Sequence, residues 1–484
     1  MFAMQYKQEV ANVVSYASFQ TKIDCLLRRY VLPHLARGRP NVVVFNEDVG
    51  LATIAIGSRG AAARNLFAQR GSPSCESQGA PCATLAALAT LTAQYAVPLA
   101  AYHRRFGAFG GLEQAFVAAT DTMVRSFMGT FSRLAKRYGV YMIGSGDVPG
   151  FVQSSAPSDA GVFADPDLHP RPASVYVATA PEVHNEVMMW GPRDVHRSGP
   201  DVLRNVVASN LKVPLTPLEV EIGFTPGPAR GPAAVANLRP FSLPGTRVRI
   251  GFATSLPAFT WGVLPAGVDP CSDVSQYYMR CLDRLGANLV IQDEANPGRW
   301  TGPDGNGIEQ WQPLSWMGST FRTVTDPSVR FAYNVTPMMV GNLADLAFDG
   351  QSAIAQRSLW ARVRVGRSAR VGRRAGVGRP GRVARRGRRK WRLKRRGPGC
   401  HYIGNGSFVP GEDQAQFQSY AGAKHAFLAV APWVVPDAPR SSLRAVGASL
   451  APGSGSPLED DYLETAVIAD LPIPVDHRRP GCAD

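Results

Sequence analysis

Four side chains in this chain are of types that could break a covalent bond together: the carboxylates of Glu47 and Glu219, the amine of Lys212 and the hydroxyl of Ser255. A carboxylate in an apolar setting can take a proton from a nucleophile. A fixed ammonium can stabilise negative charge that develops on a substrate oxygen or nitrogen. A hydroxyl or thiol can carry a covalent intermediate. This set suits hydrolysis or acyl transfer without a metal or cofactor.

The elements that must position these groups are legible as apolar runs. Glu47 follows Val42-Val43-Val44-Phe45-Asn46, so residues 41–45 are expected to form a buried strand. Lys212 opens Lys-Val-Pro-Leu-Thr-Pro-Leu-Glu, which ends at Glu219. The run Arg249-Ile-Gly-Phe-Ala-Thr-Ser ends at Ser255, so 248–254 is expected to be a strand. Helical spacing covers residues 10–37, 80–105, 112–138 and 274–285, and Gly139 after Lys-Arg-Tyr marks a helix end. Residues 2–6, 175–178, 183–190, 288–292, 330–335, 350–354 and 464–470 read as further strands, with a proline turn between 178 and 183. Strands alternating with helices imply an α/β fold.

Glutamate, lysine and a nucleophile, each at a strand end and in that order, resemble the carbon–nitrogen hydrolase (nitrilase/amidase) superfamily. The passage from helix to strand over residues 134–143 adds to the resemblance. So does the helix that leads through Gly286-Ala287 into strand 288–292 and on to Asn296-Pro-Gly. The resemblance covers roughly residues 1–355 and a C-terminal return, with insertions near 50–105 and 145–170. It implies an α-β-β-α sandwich in one domain that associates through its outer helices as a homo-oligomer.

For the site, the resemblance implies Glu47 as general base, Lys212 as electrostatic stabiliser and Glu219 as an auxiliary carboxylate. Ser255 stands where the family has its cysteine, which makes this chain a divergent case. Asn46 replaces the usual proline, and Leu256 and Pro257 replace an aromatic residue and, often, an aspartate. A serine hydroxyl needs a stronger base than a thiol, which ionises near pH ~8.5. Thr254 after a one-residue slip, the downstream Cys271 or Cys281, and Glu221 in place of Glu219 stay open as alternatives. The expected activity is hydrolysis of a non-peptide C–N bond, in a small amide or nitrile, through a covalent intermediate. A catalytically inactive nitrilase-like binding protein is the alternative.

Net charge is +15, which suggests a polyanion partner, but the charge is local. Residues 361–400 hold 15 Arg and 2 Lys without an acidic residue, and the rest of the chain has 35 basic against 37 acidic residues. An Arg-rich stretch of this kind cannot build a core. It reads as a spacer, as GC-rich coding DNA in a shifted frame, or as a nucleic-acid-binding element. The expected divisions are a hydrolase-like domain over 1–358, the Arg-rich insertion at 359–400, the return of the domain at 401–475, and a tail at 476–484.

Seven cysteines without a CxxC pair, and eight histidines without HExxH, supply neither a disulfide framework nor a zinc site. Gly144-Ser-Gly146 after a strand is expected to be a turn, since no phosphate-binding helix pattern follows. Residues 82–102 are uncharged but rich in Ala and Thr, so a buried helix is expected there in place of a membrane span. A cytoplasmic protein is expected, without a membrane partner.

Overall fold

The computed structural model describes residues 1–68, 82–297, 301–303, 309–348, 350–357, 427–431, 446, 449–450 and 453–473. The Arg-rich insertion at 359–400 and the tail at 476–484 lie outside the described residues.

The strands in chain order are β1 (Phe2–Lys7), β2 (Val42–Val44), β3 (Tyr141–Ser154), β4 (Val175–Trp190), β5 (Val206–Leu211), β6 (Phe241–Ser242), β7 (Arg249–Phe252) and β8 (Leu289–Ile291). They continue as β9 (Thr301–Pro303), β10 (Glu309–Trp311), β11 (Tyr333–Thr336), β12 (Met339–Leu343), β13 (Leu346–Phe348), β14 (Ala353–Gln356), β15 (Phe427–Val430) and β16 (Thr465–Ile468). Among the described residues, one sheet runs β13-β12-β1-β2-β3-β4-β5 with β16 also on β1, and a second runs β15-β14-β11-β8-β7-β6. β9 and β10 form a separate pair.

Strand alternation explains the layering. In the first sheet Val42, Val44, Ile143, Val187 and Met189 point one way. They share a core cluster with Ile250, Phe252, Leu289, Ile291, Tyr333 and Val335 of the second sheet. The intervening Val43, Phe45, Met142, Met188 and Trp190 pack against Phe19, Ile23, Phe127 and Phe131 of the outer helices. On the far side of the second sheet, Ala253 and Val290 pack with Val274, Tyr278 and Leu282 of the helix Val274–Arg284. The order is helix, sheet, sheet, helix, and the fold is mixed α/β, as expected from the sequence.

Several local expectations need correcting. Residues 175–190 are one strand, although its pairing with β3 lapses between Ala178 and Val183, around Pro181, where the two strands re-register. Gly144 and Gly146 lie inside β3 and not in a turn. Their missing side chains make room for the helix layer, since a Cβ on Gly144 would stand 2.8 Å from Phe131 and 2.9 Å from Val49. The uncharged stretch is two helices, Cys82–Gln94 and Ala96–Phe106, bent by 79°. Among the described residues no single helix is long and apolar enough to cross a membrane; this pair passes that test only when both helices are taken together. Cys271 and Cys281 form a disulfide, against the expectation of none. The helix brings Cys281 back over the short turn Pro270–Ser272, a proximity invisible from a spacing of ten residues.

The C-terminal return is built into both sheets. β16 pairs antiparallel with β1, matching Phe2 to Ile468, and β15 pairs with β14.

Candidate active site

The first sheet delivers Glu47, Lys212 and Glu219 to one place. β2 pairs parallel with β3, and the Phe45 N–H extends the ladder to the Ile143 carbonyl at 2.9 Å. The chain then turns through Asp48 (φ 58°), whose N–H donates to Ser145 Oγ at 2.8 Å. This turn leaves Glu47 buried beyond the strand end. Lys212 continues β5 by one position, its N–H donating to the Asn185 carbonyl at 2.9 Å.

Glu219 arrives on a short helix, Pro217–Ile222, and not at a strand end. Thr216 caps that helix and Glu219 reaches back: its Oε2 accepts from the Thr216 N–H and hydroxyl, both at 2.7 Å. Thr-Pro-Leu-Glu is a capping-box sequence, a signal that could have placed Glu219 on a helix from the outset.

The Lys212 Nζ lies 2.6 Å from Glu47 Oε1 and 2.8 Å from Glu219 Oε2, with all three side chains buried. Asn185 Nδ2 donates to Glu47 Oε1 and to Glu219 Oε1, each at 2.9 Å. The remaining oxygen of Glu47, Oε2, accepts the Ala295 N–H at 3.0 Å. Ala295 follows β8 of the other sheet, so the carboxylate is gripped from both sides.

Burial and charge divide the two glutamates. Burial pushes Glu47 above the usual carboxylate range despite the opposing pull of Lys212. Burial works the same way on Glu219, but the Lys212 charge, its hydrogen bond and the Thr216 donors outweigh it and hold Glu219 low. Burial alone would lower the Lys212 ammonium; the charges of Glu47 and then Glu219 more than offset it, and the amine stays protonated. Two carboxyls driven apart in this way take different roles, one able to accept a proton and one a fixed charge.

Ser255 sits where β7 ends. Its N–H donates to the Asp293 carbonyl at 3.0 Å, which sets it beside the end of β8. Its backbone has φ 56° and ψ −118°, a region that a residue with a Cβ rarely adopts. The turn sets Ser255 at the strand end, where it is buried. Among the described residues the Ser255 hydroxyl makes no hydrogen bond to Glu47 or Lys212. The structure therefore brings three of the four sequence-chosen residues into direct contact, and sets the fourth on the adjoining rim. Thr254 Oγ1 is committed to Asp293 Oδ1 at 2.8 Å, and Cys271 and Cys281 are bonded to each other, so these alternatives to Ser255 are occupied. Glu221 lies on the same short helix as Glu219 and has no part in the Lys212 contacts.

Sequence reasoning missed Asn185, Asp147, Asp293 and Ala295. Asp293 carried the signal that singled out Glu47, a carboxylate just past an apolar strand. Its carboxyl is pushed up to about 7 by burial and then by the Glu47 charge. Asn185 interrupts an apolar strand face, on the same side as Val187 and Met189. Among the described residues no cluster of His, Cys, Asp and Glu suits a metal ion.

No family model matches the chain, and no curated protein matches it. Solved structures do. A mutant amidase from Nesterenkonia sp. AN1, with the Michael adduct of acrylamide at its active site cysteine, is similar at 13% identity. That match covers 74% of this chain and 84% of that one, with a TM-score of 0.33. A carbon-nitrogen hydrolase from Helicobacter pylori G27 is similar at 12% identity over 74% of this chain and 81% of that one, with a TM-score of 0.37.

Proposed function

We propose that this protein is a carbon–nitrogen hydrolase that cleaves a non-peptide amide or nitrile through a covalent intermediate. The buried contact of Lys212 with Glu47 and Glu219 carries this reading. An ammonium and two carboxylates cost several kcal/mol each to bury, and a chain building only a core gains more from apolar residues there. The set is worth its cost where a proton must move beside a fixed positive charge.

For an amide, the Ser255 oxygen attacks the carbonyl carbon and its proton passes to Glu47. The carbonyl oxygen becomes an oxyanion beside the Lys212 ammonium. Glu47 returns the proton to the departing nitrogen as the C–N bond breaks, leaving an ester on Ser255. Water then attacks that ester as Glu47 takes its proton; the bond from the acyl carbon to the Ser255 oxygen breaks, the acid leaves, and Glu47 returns the proton to Ser255. Glu219 and Asn185 hold Lys212 and Glu47 in place throughout. Supporting the nucleophile role are the strand-end position of Ser255 and its positive φ.

One observation favours a second reading, a nitrilase-like protein that binds a small amide without turning it over: the Ser255 hydroxyl is not hydrogen-bonded to Glu47 among the described residues. Incubation with an activated ester followed by intact-mass analysis separates the two. An adduct that maps to Ser255, with ammonia release from a panel of amides and nitriles, is the expected result. No adduct and no ammonia across the panel would leave the binding reading.

A further inference from the structure

The hydrogen-bonding capacity left over at this site sits on two carboxyls and one side-chain amide oxygen. Among the described residues both carboxylate oxygens of Asp147, Oδ1 of Asn185 and Oδ2 of Asp293 are buried and accept no hydrogen bond. The Asn185 oxygen is an acceptor, and the carboxyls of Asp147 and Asp293, both raised by burial, become acceptors on ionising beside a cation. Buried polar atoms without partners are expensive, and donors supplied by a bound ligand are one way to satisfy them.

Their placement is set by strand register. Asp147 of β3 stands directly opposite Asn185 of β4. Directly opposed side chains on paired strands share a face, with Cβ atoms roughly 4.5–5.5 Å apart. That face is the one between the sheets, because Ile143 on the same side of β3 and Val187 and Met189 on the same side of β4 lie in the inter-sheet core. Asn185 itself bridges Glu47 and Glu219 through Nδ2, so Asp147 is one residue removed from the reacting carboxylate. Asp293 faces the same space from the second sheet, in line with Leu289 and Ile291. Across this space the acidic groups Glu47, Asp48, Glu219, Asp147 and Asp293 surround the Lys212 ammonium, and that ammonium is already committed to Glu47 and Glu219.

We propose that the substrate is a small amide whose acyl chain carries a primary ammonium group, and that Asp147, with Oδ1 of Asn185 beside it, receives that group. The inference rests on the hydrolase reading above and names its substrate class. An ammonium brings three donors and a positive charge, which matches an orphaned carboxylate and an orphaned amide oxygen side by side. Binding it here leaves the scissile amide next to Glu47 and Lys212.

The test compares ammonium amides with neutral isosteres on the full-length protein. 3-Aminopropanamide, 4-aminobutanamide and 5-aminopentanamide are paired with butanamide, pentanamide and hexanamide, in which a methyl group replaces the ammonium. For each pair the ratio of kcat/KM is measured, and calorimetric binding is measured alongside. At least one ammonium amide should exceed its isostere by about tenfold or more, and Asp147→Asn should bring that ratio close to one. The wild-type ratio needs no variant, so a poorly folded Asp147→Asn protein would not remove the test. Turnover of neutral and ammonium amides at equal efficiency, unmoved by Asp147→Asn, would overturn the subsite and leave the hydrolase standing. Selective binding of ammonium amides without any turnover, lost in Asp147→Asn, would support the subsite and overturn the hydrolase. Neither binding nor turnover of any ammonium amide would overturn the subsite.

Discussion

The backbone N–H of Ala295 donates to Oε2 of Glu47 at 3.0 Å across a sequence separation of 248 residues. One sheet supplies the carboxylate and the rim of the other fixes its orientation. Oε1 is then left to Lys212 and Asn185. The position of this carboxyl is thus a property of how the sheets meet, and substitutions around it should report on that meeting.

Glu47→Gln keeps the shape of the side chain and removes its basicity. Amide turnover should fall by about 10²- to 10⁴-fold, with circular dichroism and thermal unfolding close to wild type because Glu219 still neutralises Lys212. Undiminished kcat would remove Glu47 from the reaction.

Lys212→Ala should abolish turnover and also destabilise. It leaves Glu47 and Glu219 buried beside each other without a counter-charge, a loss of roughly 3–5 kcal/mol. Urea denaturation should show a lower midpoint with an unchanged slope. A midpoint equal to wild type would mean that the ion pair contributes nothing to the fold.

Ser255 separates strain from chemistry. Ser255→Ala and Ser255→Gly should both lose the covalent adduct. Only the glycine variant relieves the positive φ, and it should be neutral to about 2 kcal/mol more stable than wild type. Ser255→Cys should raise the rate of adduct formation, since a thiol ionises far more readily than a hydroxyl. An adduct that persists in Ser255→Ala would place the nucleophile elsewhere.

Asp293 predicts a pH dependence of stability. Its carboxyl moves from an ordinary 3.8 to about 7 in the folded protein, chiefly through burial. Between these values the folded state binds more protons than the unfolded state, so this group lowers stability as pH rises through that window and adds no further change above about 7. Asp293→Asn can still accept from Thr254 and does not ionise. Its stability advantage over wild type should grow from pH ~4 to pH ~7 and then level, reaching roughly 4 kcal/mol at most. Parallel stability–pH curves for the two proteins would contradict this.

The Arg-rich residues 361–398 account for the chain's positive balance. Their deletion should leave amide turnover unchanged and remove any salt-sensitive binding to RNA or DNA, followed by filter binding across a salt series. Binding that survives the deletion would assign it to the rest of the chain.

The sequence by itself determined which elements form and which of them end in chemistry. Short continuous apolar runs mark β1, β2, β7 and β8, and Glu47 and Ser255 each follow such a run. Lys212 was found through its distance from Glu219 and the resemblance that this spacing carries. Local patterns carry this information because strand and helix formation depend on neighbours within a few residues.

The tertiary structure alone decided the contacts that give these residues their properties. Asn185 bridges two glutamates because antiparallel β3, β4 and β5 align Asp147, Asn185 and Lys212 in one row, and register is set by pairing partners far away in the chain. Ala295 grips Glu47 because two sheets pack face to face. Burial raises both glutamates; Glu47 stays high, whereas the Lys212 charge and hydrogen bond together with the Thr216 donors of the helix cap outweigh burial at Glu219. Electrostatics at close range depends on distances in space, and the sequence specifies those only through the completed fold.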